Sequence, residues 1–134
     1  MSDELSPPAP PPPTILVVED ELTVRRAACR MIRGLGFEVA EAGDGREALR
    51  LIRQREAPFA LVLTDVVMPV MDGLELSRIL NEERPLQPVL CMSAYPTTTL
   101  AGHNLLPERP FIRKPFLPSA LSSAIREAMQ AAPA

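Results

Sequence analysis

Tryptophan is absent from the 134 residues, histidine occurs once and cysteine twice. A single histidine, His103, excludes every metal site built on several imidazoles. Cys29 and Cys91 lie far apart, each inside an apolar segment, too sparse for a disulfide framework or a zinc site. Buried free thiols in a reducing compartment are the expectation. No apolar run approaches the roughly 18 residues a membrane span needs, and the acidic start Met1-Ser2-Asp3-Glu4 is no signal peptide. Neither sign of charge dominates, and a net charge of −3 offers no broad attraction to nucleic acid or to an anionic membrane. With 46% apolar and 23% charged residues, the chain has the composition of one cytoplasmic globular domain.

Proline is unevenly spread. Six of the 16 prolines (Pro7, Pro8, Pro10, Pro11, Pro12 and Pro13) crowd the first 13 positions. Such a run lacks amide donors and extends as polyproline II, so residues 1–13 are expected to be a disordered tail or linker. The folded domain is then expected over residues 14–131. Few residues follow its last helix, so no DNA-binding or enzymatic output domain is expected within this chain.

From Thr14 the apolar pattern alternates between two periods. Thr14–Val18 is a short β-branched run, and Val24, Ala27, Ala28, Met31 and Ile32 then follow helical spacing up to Gly34 and Gly36. Phe37–Ala42 reads as extended. Asp44 with Glu47, and Asp72 with Glu75, are capping-box pairs opening two further helices. Ala60–Thr64 and Val89–Met92 are continuous apolar strands, Phe111 and Ile112 a brief last one, and Pro118 opens the final helix. The stretch from Pro96 to Pro107 is weakly patterned, a short or frayed helix. Five strands alternating with helices predict an α/β fold in three layers around a parallel sheet, with strands apolar throughout. Gly34-Leu35-Gly36 follows a helix and not the first strand, which rules out a dinucleotide-binding loop.

In an open α/β sheet the chemistry gathers beyond the carboxyl ends of the strands. There the sequence places Glu19 and Asp20 after the first strand, Asp65 after the third, Ser93 after the fourth and Lys114 after the fifth. Singly, each has a plain structural role: acids at a helix start, a turn serine, a solvated lysine. Together they form a site. Three carboxylates at one edge repel one another, and a hard divalent cation such as Mg²⁺ relieves that with oxygen ligands. Lys114 offers a point charge for a phosphoryl oxygen and Ser93 a hydrogen-bond donor.

Ile15-Leu16-Val17-Val18-Glu19-Asp20-Glu21, Asp65-Val66-Val67-Met68-Pro69-Val70-Met71-Asp72-Gly73, Met92-Ser93-Ala94-Tyr95 and Lys114-Pro115-Phe116 resemble the motifs of receiver domains of two-component response regulators. The resemblance runs from Thr14 to about Met129, and two tracts around Asp65 and Ser93 look most like receivers fused to hybrid sensor histidine kinases. It implies a flavodoxin-like doubly wound (βα)5 fold with strand order 2-1-3-4-5. It implies Asp65 as phosphoryl acceptor, and Asp20, Asp65, the Val67 carbonyl and, through water, Glu19 as Mg²⁺ ligands. Ser93 and Lys114 would contact the phosphoryl group, with Ser93 and Phe111 as the switch pair and Val67 and Tyr95 bordering phosphoryl access. The implied function is a phosphorelay switch that takes its phosphoryl group from a histidine kinase or histidine phosphotransfer protein. It catalyses its own phosphorylation and dephosphorylation without being a turnover enzyme, and binds neither nucleic acid nor membrane directly. Two alternatives stay open. A Mg²⁺-dependent phosphohydrolase usually needs an acid/base residue at the place Val67 occupies. A receiver-like interaction module would act without phosphorylation.

Overall fold

The computed structural model describes residues 12–104 and 109–131. Most of the expected proline-rich tail and the end of the Pro96–Pro107 stretch lie outside the described residues. The chain runs β1 (Thr14–Val18), α1 (Leu22–Gly34), β2 (Glu38–Ala42), α2 (Gly45–Arg53) and β3 (Leu61–Asp65). It continues through α3 (Gly73–Glu83), β4 (Val89–Ser93), α4 (Thr97–Gly102), β5 (Phe111–Arg113) and α5 (Pro118–Gln130). The strands form one parallel sheet in the order β2-β1-β3-β4-β5, the flavodoxin-like order.

Alternation along the central strands sends side chains to two separate cores. Leu16, Val18, Val62 and Cys91 pack with Ala48 and Ile52 of α2, Leu76 and Leu80 of α3, and Leu100 of α4. Ile15, Val17, Leu63, Leu90 and Met92 pack on the other face with Ala28 and Ile32 of α1 and Leu121 and Ile125 of α5. Each such large apolar side chain contributes roughly 1.5–3 kcal/mol by leaving water.

Helix starts follow the capping chemistry. The Asp44 side chain accepts from the Glu47 amide at 2.9 Å and Asp72 from the Glu75 amide at 2.8 Å. Helix α1 stops where Gly36, at φ +98°, reverses the chain, its amide bonded to Arg33 and that of Phe37 to Ile32.

One expectation needs correcting. Strands β1, β3 and β4 are apolar and buried, but β2 reads Glu-Val-Ala-Glu-Ala with Glu38 and Glu41 exposed. It is an edge strand paired only with β1, so part of it meets water and accepts charge. Smaller differences are shifts of boundary: α1 begins at Leu22, β2 at Glu38, and Asp65 and Ser93 close their strands from inside. Helix α4 spans only six residues, in keeping with its weak pattern.

Candidate functional site

The register brings the expected residues to one edge. Val18 lies opposite Thr64, Asp65 opposite Met92, and Ser93 opposite Arg113, so Glu19, Asp65, Ser93 and Lys114 end four adjacent strands. Glu19, Asp65 and Ser93 are buried, while Asp20 is exposed at the rim. Carboxylate oxygens of Glu19, Asp20 and Asp65 lie within 4.8 Å of one another. Three oxygen donors so close are the kind of set that a hard divalent cation takes.

Lys114 is the cation among them. Its Nζ donates to Glu19 Oε1 and to Asp65 Oδ2, both at 2.7 Å. The other Asp65 oxygen, Oδ1, accepts from the Val67 amide at 3.1 Å. Burial alone disfavours the Lys114 ammonium, yet its bonds to Asp65 and Glu19 outweigh that and hold its pKa above the usual 10.5. Asp20 moves above the usual 3.8, first through partial desolvation and then through the hydrogen bond and charge of Glu19. With one ammonium for three acids, the edge retains excess negative charge.

Ser93 Oγ accepts from the Tyr95 amide at 3.0 Å, which leaves its proton free to donate. Phe111 is half-buried against the core beneath α2, α3 and α4, beside Cys91 in register. The Tyr95 ring is half exposed. With Val67, Thr99, Leu100 and His103 it lines a cavity of about 230 Å³, so Val67 and Tyr95 share one border of the site. His103 caps the end of α4 on that rim.

The loop from β3 to α3 holds two features that sequence reasoning passed over. A Cβ on Gly73 would lie 2.2 Å from the Asp65 carbonyl oxygen, and the Gly73 amide donates to Val66 at 2.9 Å. Glycine is therefore the residue that lets α3 start against the strand carrying Asp65. Val70 sits at φ +70°, in a three-residue turn closed by the Met71 amide on the Pro69 carbonyl at 2.8 Å. That backbone is strained for a β-branched side chain.

A buried carboxylate held by an ammonium and an amide thus lies inside an acidic cluster at the switch point of a flavodoxin-like sheet. The family model for the response regulator receiver domain matches residues 15–126. The chain belongs to the response regulator receiver domain family. Its role is that of a phosphoacceptor switch in two-component signalling, and the phosphohydrolase alternative falls with that membership. Sensor kinase CckA of Brucella abortus is 34% identical over 118 residues, covering 87% of this chain and 12% of that protein. The receiver protein CpdR of the same organism is 33% identical over 103 residues, covering 76% of this chain and 84% of its own length. The solved chemotaxis protein CheY4 of Vibrio cholerae superposes with a TM-score of 0.73 at 27% identity, over 87% of this chain and 98% of its own. The chain thus spans a minor part of some relatives and most of others. Receivers of this family work with histidine kinases or phosphotransfer proteins. Among the described residues no helix is long and apolar enough to cross a membrane.

Proposed function

We propose that Asp65 is the phosphoryl acceptor of this receiver domain and takes the group from a phosphohistidine of a kinase or phosphotransfer protein. The carrying observation is the Asp65 carboxylate, buried in the acidic cluster with one oxygen on Lys114 Nζ and the other on the Val67 amide. In the transfer an Asp65 oxygen forms a bond to phosphorus as the donor's nitrogen–phosphorus bond breaks. Lys114 moves its bonds to the phosphoryl oxygens. Ser93 turns its free proton to the same group, and Phe111 repacks in the space this opens. The residues fit Mg²⁺, held by Asp20, Asp65, the Val67 carbonyl and, through water, Glu19. When bound, the ion neutralises charge on the transferring oxygens. Roughly two added negative charges and three strong acceptors suffice to move an equilibrium of a few kcal/mol. A groove of about 460 Å³ between α1 and the Lys114–Phe116 segment opens beside this edge and gives a protein donor room to approach. The buried free thiols Cys29 and Cys91 suit a reducing, cytoplasmic setting.

The test is labelling by acetyl phosphate with Mg²⁺. The parent should label stoichiometrically, and Asp65→Asn should not label, because the amide lacks the anionic nucleophile. Persistent labelling of Asp65→Asn would sink the assignment, and an unlabelled parent would favour the phosphorylation-independent module.

A further inference from the structure

We propose that Arg25, which lies outside the acidic cluster, is a positioning residue that sets Asp20 for the metal. The inference rests on the reading of the acidic edge given above. Arg25 is the fourth residue of α1, at the close of its first turn, and its side chain folds back toward the strand ends. Its Nη1 donates to the main-chain carbonyl of Glu19 at 2.8 Å, and its Nε to Glu41 Oε1 on β2 at 3.0 Å. Nη1 also comes within 3.6 Å of where a Cβ on Gly43 would stand, so the β2–α2 loop passes close over the guanidinium. The side chain is only 17% exposed.

The Glu19 carbonyl belongs to the peptide that joins Glu19 to Asp20, so holding it fixes the plane from which the Asp20 side chain departs. Lys114 does not provide this, because it bonds Glu19 and Asp65 and leaves Asp20 at the exposed rim. Arg25 therefore acts where Lys114 does not. It is also a permanent charge whose bonds go to a carbonyl and to Glu41. Its charge is met by Glu41, so it holds the Glu19 carbonyl without adding net repulsion toward a metal ion and without occupying a carboxylate oxygen of the cluster. Glu41 aims it, which gives the charged edge strand a part in the site. A plain staple between α1 and β2 would make the same contacts but leave metal affinity alone.

The experiment is Mg²⁺ titration of the full chain followed by amide NMR shifts, with acetyl phosphate labelling over the same Mg²⁺ range. Arg25→Met should bind Mg²⁺ about tenfold more weakly, equivalent to about 1.4 kcal/mol. Arg25→Lys should recover part of that. Labelling of Arg25→Met should need more Mg²⁺ for half-saturation yet reach the parental plateau, since Asp65 and Lys114 are untouched. Glu41→Gln should weaken Mg²⁺ by a smaller factor and add nothing on top of Arg25→Met. Parental Mg²⁺ affinity in folded Arg25→Met overturns the proposal, as does a lowered plateau at unchanged half-saturation. If Arg25→Met does not fold, Glu41→Gln decides, and an unchanged affinity there overturns it. A parent that never labels overturns the reading of the edge, whereas a labelling parent with an indifferent Arg25→Met overturns the role of Arg25 alone.

Discussion

Replacing Gly73 with alanine puts a methyl group where the chain has no room for one. The new Cβ would sit 2.2 Å from the Asp65 carbonyl oxygen and 3.1 Å from Val66 Cα. Close carbon–oxygen contacts settle near about 3.3 Å, so one side must retreat by about 1 Å. Neither side is a pliable side chain. Asp65 lies in the ladder with β4, and the start of α3 is tied by the Gly73 amide on Val66 and by the Asp72 cap. Overpacking costs about 1–3 kcal/mol where neighbours can adjust. With rigid backbone at the upper end of that range, and a loosened cap adding about 1 kcal/mol, the total is about 3–4 kcal/mol. For a domain of this size each kcal/mol moves the melting temperature by about 4 °C, so thermal unfolding should fall by about 12–16 °C. Gly34→Ala is the matched control. Its Cβ meets nothing within 4 Å at the last turn of α1, and alanine there should be neutral or stabilising by a few tenths of a kcal/mol or so. Differential scanning calorimetry of both variants tests the contrast. A Gly73→Ala protein melting within about 3 °C of the parent would refute the crowding argument.

Asp20→Ala should weaken Mg²⁺ binding by removing one carboxylate oxygen from the cluster, and an NMR titration with unchanged affinity would place the metal elsewhere. Val67 and Tyr95 border the same cavity, where the Val67 side chain has no polar atom to orient a hydrolytic water and Tyr95 adds shielding bulk. Replacing them with Asn and Glu together should speed phosphate release from the phosphorylated protein about tenfold, or about 1.4 kcal/mol of barrier. Equal release rates at fixed Mg²⁺ dismiss that idea. The Lys114 pKa is raised on folding, so its ion pairs stabilise the fold fully below the unfolded value of 10.5 and less as pH climbs through the higher folded value. Lys114→Met should therefore be less stable than the parent at neutral pH, with the gap closing above pH 10.5 in denaturant titrations. A gap constant across that range means the pairs add nothing to stability.

Much of the fold was legible because two simple periods recur. The β-branched run Thr14–Val18 and the apolar run before Asp65 could hardly be anything but buried strands, and Asp44 and Asp72 announced their helices. The acidic edge was legible for the same reason, since residues that end neighbouring parallel strands must meet. Strand β2 shows where that reasoning stops. Its glutamates are accepted because it pairs on one side only, and strand order is not written in local periodicity. The crowding at Gly73 depends on how closely α3 approaches Asp65, a distance between elements. The reach of Arg25 depends on a side-chain path across β1 to β2, and an arginine in an amphipathic helix ordinarily signals only a wet face.

The two ends of the sheet have a consequence for how the molecule behaves in company. An exposed strand with free amides and carbonyls is an invitation for another chain to add itself, the route by which flat sheets polymerise. One border here carries Glu38 and Glu41, which would face like charges if two copies met edge to edge. Among the described residues the opposite border offers only Phe111–Arg113 before a proline at position 115 interrupts it. Neither makes a usable template. A signalling part of this kind can be crowded or tethered beside its own copies without seeding fibres.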